Sequence, residues 1–281
     1  MDTILSFLHA IFENSFLQNA MYAIVLISLI SGIIGSILVS NKIVFLGGGV
    51  AHCAYGGIGA AIFFGFPLLL GSLISAIIVA VILAIVRQRL FQFIDTFSAI
   101  LWAFGMSIGV LFINLSTQMN ADIESYLFGS LISVDFSLLA MILAYNICLV
   151  AFVGVYFREI LNISYDYEFC KLKGVRADIF INIIYIFIAI GVILSMQISG
   201  LILVLAMLSI PAYIANLFAK TLKLQMIISS IFSFFFMFLG LFFAFSFNVS
   251  PGAMITLVSV VCMAIIFILK YLRRLLLYPI H

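Results

Sequence analysis

The sequence predicts an all-α polytopic transmembrane bundle of about 8–9 spanning helices, and three observations predict it. The composition is 67% hydrophobic and only 8% charged, with a mean hydropathy of +1.41. A soluble domain carries about 25% charged residues, and a water-soluble globule of this size would leave much of its apolar surface facing solvent. Apolar runs of roughly 20 residues, the length that crosses a ~30 Å hydrocarbon core, recur along the chain. Finally, all 12 lysines and arginines fall on alternate connections between those runs, the pattern that orients a multi-pass protein.

Residues 1–16 read as a short amphipathic lead-in, with Asp2 and Glu13 and without the basic n-region and cleavage site of a signal peptide. Nine apolar runs follow, at about 17–39, 43–65, 67–86, 97–117, 134–156, 179–197, 200–218, 225–247 and 252–270. Together they make one membrane domain over 17–270, with a tail at 271–281. Lys42 follows the first run, Arg87 and Arg89 the third, and Arg158, Lys171, Lys173 and Arg176 the fifth. Lys220 and Lys223 follow the seventh, and Lys270, Arg273 and Arg274 the ninth. The even connections hold no basic residue, so the basic side and the C-terminus are expected in the cytoplasm. The turn at Gln197–Gly200 is so tight that the sixth and seventh runs read either as two spans or as one re-entrant element.

Several function classes drop out. A net charge of +2 without a basic patch gives no nucleic-acid surface. Cys53, Cys148, Cys170 and Cys262 are scattered, with no C-x-x-C pair. There is no G-x-x-x-x-G-K-[ST] and no H-E-x-x-H. The chain is expected to be no enzyme, to need no cofactor, and to have the lipid bilayer as its first partner.

Inside the apolar runs, one segment stands apart: "IVFLGGGVAHCAYGGIGAA", residues 43–61. His52 lies ten residues beyond Lys42, about 15 Å along a helix, near mid-membrane. An ionisable group at that depth is by default a functional residue; the alternative is a neutral imidazole bonded to a neighbouring helix. Gly48 and Gly56 sit one turn before and after it on its face. They read either as close helix packing or as clearance for a pathway. "LSIPAYIAN" (208–216) places Ser209 and Pro211 inside a run. There Pro211 frees a carbonyl, either at a cavity or at a simple kink. Asn114, Asn146, Asn182 and Asn216 read mostly as interhelical hydrogen-bonders. The polar stretch "SYDYEFCKLKGVRADIF" (164–180) opens with Asp166 and Glu168, continues with Lys171, and reaches Gly174. Acid first and base last suits a helix dipole, and glycine suits its end; a docking helix and a solvated loop are both open readings.

Taken together, these stretches resemble the permease of bacterial ABC importers for zinc, manganese or iron. "LGGGVAHCAYGGIG" is similar to the family's G-D-x-x-x-H-A region, "IDTFSAILWAFGMSIGV" to its acidic-Thr helix start, and Tyr126–Gly129 to its Y-L-F-G loop. "SYDYEFCKLKGV" resembles the coupling element, "SGLILVLAMLSIPAYIA" the G-x-L-L-V-x-A-L-L-x-x-P-A span, and "NVSPGAMITLV" the last outward turn. The matches keep their order over about 20–265. The resemblance implies a bacterial inner-membrane subunit moving a divalent cation by alternating access. Zinc comes first on imidazole's preference. Its partners would be cytoplasmic ABC ATPase subunits, an extracytoplasmic metal-binding protein and a second permease chain as a homodimer. It implies that His52 meets the metal and that Asp166, Glu168, Lys171 and Gly174, within about 164–178, couple to the ATPase. Gly48, Gly56, Ser209, Pro211 and Asn248 then belong to the pathway or gate. Two positions depart from the pattern: Gly48 and Asn248 stand where the family has aspartate. A site of one imidazole without carboxylate leaves cation desolvation uncompensated, so the cargo stays open, and so does a stand-alone channel or carrier for another small solute.

Overall fold

A computed structural model describes residues 2–116, 129, 134–174 and 176–277. The order of elements is α1 (Asp2–Glu13), α2 (Ser15–Ser40), α3 (Val44–Phe64), α4 (Leu68–Arg89), α5 (Ile94–Leu115), α6 (Phe136–Val155), α7 (Phe157–Tyr165), α8 (Tyr167–Leu172), α9 (Ala177–Phe218), α10 (Leu222–Phe247) and α11 (Pro251–Leu277). Among the described residues there is no strand, and eight helices are long and apolar enough to cross a membrane. The polytopic helical bundle is therefore what the chain forms.

The element that differs most from a run of separate spans is α9. Its 42 residues would extend about 63 Å if straight, twice the hydrocarbon thickness. Gly200 breaks the run with φ 75° and ψ 167°, a conformation open essentially to glycine alone. The two arms then double back. Ile181, Ile184 and Tyr185 border the same small space as Asn41 and Ser164. Asn216 and Ala219, at the other end of the run, line a cavity with Lys42 and Ser164. Gly129 packs directly on the Ser199–Gly200 backbone at the bend. The tight 197–200 connection is thus the turn between two helical arms, and both their far ends lie at the end of the bundle that carries Lys42.

Around this hairpin the other helices pack by close backbone approach. Lipid tails are as apolar as leucine, so small residues rather than a hydrophobic driving force bring membrane helices together. Gly32 of α2 meets Ser230 of α10, and Gly35 meets the Leu208 carbonyl of α9. Asn146 Nδ2 donates to the Leu26 carbonyl at 3.2 Å, tying α6 to α2. Gln88 Nε2 donates to Asn182 Oδ1 at 3.0 Å, tying α4 to α9. The lead-in helix α1 is anchored by Phe7, whose ring centroid lies 5.3 Å from both Phe242 and Phe245 of α10. At the far end α11 continues to Leu277, beyond the 270 boundary that hydropathy suggested.

Candidate functional site

α3 is the most enclosed of these spans, buried along nearly its whole length by α5, α4 and α9. Its glycines explain why. An added Cβ at Gly56 would lie 2.8 Å from the Gly105 carbonyl oxygen of α5. Gly59 meets Gly109 of the same helix, and Gly57 and Gly71 of α4 meet each other's carbonyls. Cys53 Sγ donates to the Leu101 carbonyl at 2.7 Å along the same seam. Gly56 packs on Gly105 and also lines a cavity of about 300 Å³ with Gly57 and Gly105, so the geometry carries both readings.

His52 is 7% exposed at the centre of this seam. Its Nδ1 lies 2.9 Å from the Gly48 carbonyl oxygen. A carbonyl only accepts, so Nδ1 carries the proton, and in the neutral ring Nε2 holds the free lone pair. A histidine that ligates metal is held in this way, with one nitrogen donating to a carbonyl and the other free. One face of the imidazole is covered by Trp102 of α5, with centroids 3.7 Å apart and planes at 26°. Gly48 is closed in by the same indole: an added Cβ there would lie 3.4 Å from Trp102 Cζ3 and 3.3 Å from Leu205 Cδ2. Gly48, where the resemblance implies an aspartate, therefore leaves room for an indole. Among the described residues no three His, Cys, Asp or Glu side chains converge.

Ser209 and Pro211 sit on the returning arm of α9. Pro211 cannot donate to the Met207 carbonyl four residues earlier, and that carbonyl accepts from Ser31 Oγ of α2 instead. Ser209 Oγ donates to its own helix at Leu205, 2.7 Å away. The helix continues through Pro211 because α2 supplies the missing donor. Asn248 occupies a left-handed turn, φ 53°, that ends α10. That helix packs on α2, α9 and α11, whereas α3 packs on α5, α4 and α9, so both positions, Asn248 and Gly48, sit on helices that adjoin α9.

The polar connection folds as α7 and α8. Asp166 caps α8 by accepting from the Phe169 amide at 2.9 Å, and Gly174, φ +78°, ends the turn that follows. Lys171 Nζ pairs with Asp178 at 3.4 Å, and the Tyr167 hydroxyl donates to the same carboxylate. Burial, reinforced by Asp178, raises the Tyr167 phenol above its ordinary range. Glu168 and Lys173 face outward. A short helix pinned to the start of α9 and exposed along its outer side is what a docking element requires.

Sequence reading named His52, Gly48 and the α8 stretch but missed Trp102 and Ser31. Trp102 had a signal, as the single tryptophan of the chain inside a run. Ser31 had none, because its partner is 176 residues away. Residues 126–128 of the Y-L-F-G loop lie outside the described residues.

Fold and site together define a multi-pass membrane protein with a buried mid-span histidine and a short helix pair at its basic end. Residues 13–270 match the ABC 3 transport family, and the chain belongs to that family. It is 37% identical to an uncharacterized membrane protein of Synechocystis sp., covering 88% of each chain. It is 24% identical to the manganese import system permease protein ScaB of Streptococcus gordonii, covering 95% of this chain and 98% of that one. In fold it resembles a chain of PsaBC from Streptococcus pneumoniae in complex with Fab, with a TM-score of 0.82 at 24% identity over 93% and 94% of the two chains.

Proposed function

We propose that this chain is the membrane-spanning subunit of an importer for a divalent metal cation, with manganese the leading cargo. Separate ABC ATPase subunits would drive it, an extracytoplasmic metal-binding protein would feed it, and a second copy of the chain would complete the pathway. The observation that carries the reading is His52: buried mid-span, Nδ1 committed to the Gly48 carbonyl, Nε2 left with its lone pair. A relative over nearly the full length is the manganese import system permease protein ScaB of Streptococcus gordonii, which supports placing manganese before zinc. Iron and zinc remain the competing cargoes, since imidazole by itself suits them better than manganese, whose usual ligands are carboxylate, carbonyl and water oxygens. A single imidazole per chain suits a transit site, where binding must be weak enough to release. On this reading α7–α8 face the ATPase, through Asp166, Glu168, Lys171 and Gly174. The basic end and the C-terminus are then cytoplasmic, in the inner membrane of a bacterium.

The test is reconstitution of the chain with its ATPase partner in proteoliposomes. Manganese uptake should require ATP, and His52→Ala should weaken the apparent affinity for metal at least about tenfold, with basal ATPase activity and assembly unchanged. Uphill transport by the chain alone would overturn the coupling, and unaltered uptake at limiting metal would return His52 to packing.

A further inference from the structure

The transport reading leaves one buried charge unexplained. Arg87, in the last turn of α4, is only 9% exposed, and its Nη1 has no hydrogen-bond partner. The two ion pairs among the described residues are His9–Glu13 and Lys171–Asp178, and neither involves it. Asp178, on the adjoining start of α9, is already engaged by Lys171 and Tyr167. Phe91 lies under the guanidinium, 3.9 Å from ring centroid to Cζ. A ring face offsets part of a cation's desolvation, but a buried cation without an anion remains costly.

Two spaces adjoin Arg87. The first is enclosed, about 10 Å³, and bordered by Asn41, Ser164 and Tyr185, the size of a single water. A water there would satisfy Nη1 and the likewise unpartnered Tyr185 hydroxyl, yet it would not neutralise the guanidinium. The second is an open cavity of about 400 Å³ whose ionic lining is Lys42, Arg87, Arg89, Asp166 and Glu168. Three cations face two carboxylates, and one of those, Asp166, is turned to the Phe169 amide as a helix cap. Asn41 Nδ2 donates to Ser164 Oγ at 3.0 Å and holds the α2 and α7 walls together.

We propose that this cavity binds a phosphate-bearing anion, held by Arg87 at its floor with Lys42 and Arg89 at its mouth. Guanidinium matches phosphate oxygens in a planar fork, and the cavity has room for a phosphate with part of a headgroup. Its walls come from α4 on one side and from α7–α8 on the other, so the bound anion ties the bundle to the short helices. The anion has two sources, the headgroup of an acidic lipid in the adjacent leaflet and free phosphate.

The experiment uses the full-length chain in phosphatidylcholine nanodiscs, with phosphatidylglycerol included or with inorganic phosphate added. The readouts are the thermal unfolding midpoint and the lipid retained in native mass spectrometry. The wild type should be stabilised by at least one addition, and Arg87→Gln should raise the apparent dissociation constant obtained by titrating that addition at least about tenfold, the worth of one charge-assisted hydrogen bond. Response to phosphatidylglycerol alone identifies the headgroup; response to inorganic phosphate identifies the free anion. If Arg87→Gln does not fold, Arg89→Gln at the exposed mouth should raise that constant about two- to threefold. A wild type indifferent to both additions, or a folded variant that responds like wild type, overturns the proposal. Stabilisation only by an added ATPase subunit also overturns it, because the charge is then matched by a protein carboxylate.

Discussion

Placing an aspartate at position 48 tests how the proposed metal site is built. In the structure a Cβ at Gly48 lies 3.4 Å from Trp102 and 3.3 Å from Leu205 before any carboxylate is added, and the indole that blocks it stacks on His52 at 3.7 Å. Gly48→Asp must displace that ring, and overpacking of this kind costs about 1–3 kcal/mol. A carboxylate with no hydrogen-bond partner adds to the cost. Trp102→Ala alone removes an aromatic contact worth about 0.5–1.5 kcal/mol beyond its buried area. The double variant Gly48→Asp/Trp102→Ala should be less destabilised than the sum of the singles by about 1 kcal/mol or more, since the space the carboxylate needs has been cleared. Unfolding free energies of the four proteins in detergent, closed as a double-mutant cycle, measure the coupling. The double variant should also bind manganese more tightly than wild type, because imidazole gains a hard, charged neighbour. Additivity within about 0.5 kcal/mol would refute the reasoning: indole and residue 48 would then not compete for one space.

Three further outcomes follow from individual contacts. Ser31→Ala leaves the Met207 carbonyl unpaired and should cost about 1–3 kcal/mol; adding Pro211→Ala, which restores the helical donor, should recover most of it, as chemical denaturation of the pair would show. Gly56→Ala places a methyl against the Gly105 carbonyl and should cost about 1–3 kcal/mol while metal affinity per folded molecule is retained; lost affinity at unchanged stability would return Gly56 to the pathway. The raised Tyr167 phenol keeps its proton after the unfolded chain has lost its own, so its contribution is present below the ordinary tyrosine pKa, about 10, and is lost as pH rises through the higher folded value. Stability should be level from pH 7 to 9 and fall above about 10, and Tyr167→Phe should remove this part of the fall.

The sequence by itself determined the class of fold, the alternation of basic connections and the candidates His52 and α8. Hydrophobic length and charge are local quantities, and the bilayer converts them into structure almost without reference to the rest of the chain. Capping is local too, so Asp166 and Gly174 bounded the short helix as their residue types suggested. Whether 177–218 made two spans or a re-entrant element was not decidable locally, because the answer rests on Gly200 and on Gly129 packed against it from another part of the chain. Tertiary structure alone decided what the polar and small residues are for. It assigned Gly56 to contact with Gly105, gave the carbonyl freed by Pro211 to Ser31, and placed Trp102 over His52 in the room left by Gly48. It also left Arg87 buried outside the ion pairs of the described residues. Each of these depends on which two backbones meet at which turn, and helix periodicity places a residue on a face without specifying what that face will touch.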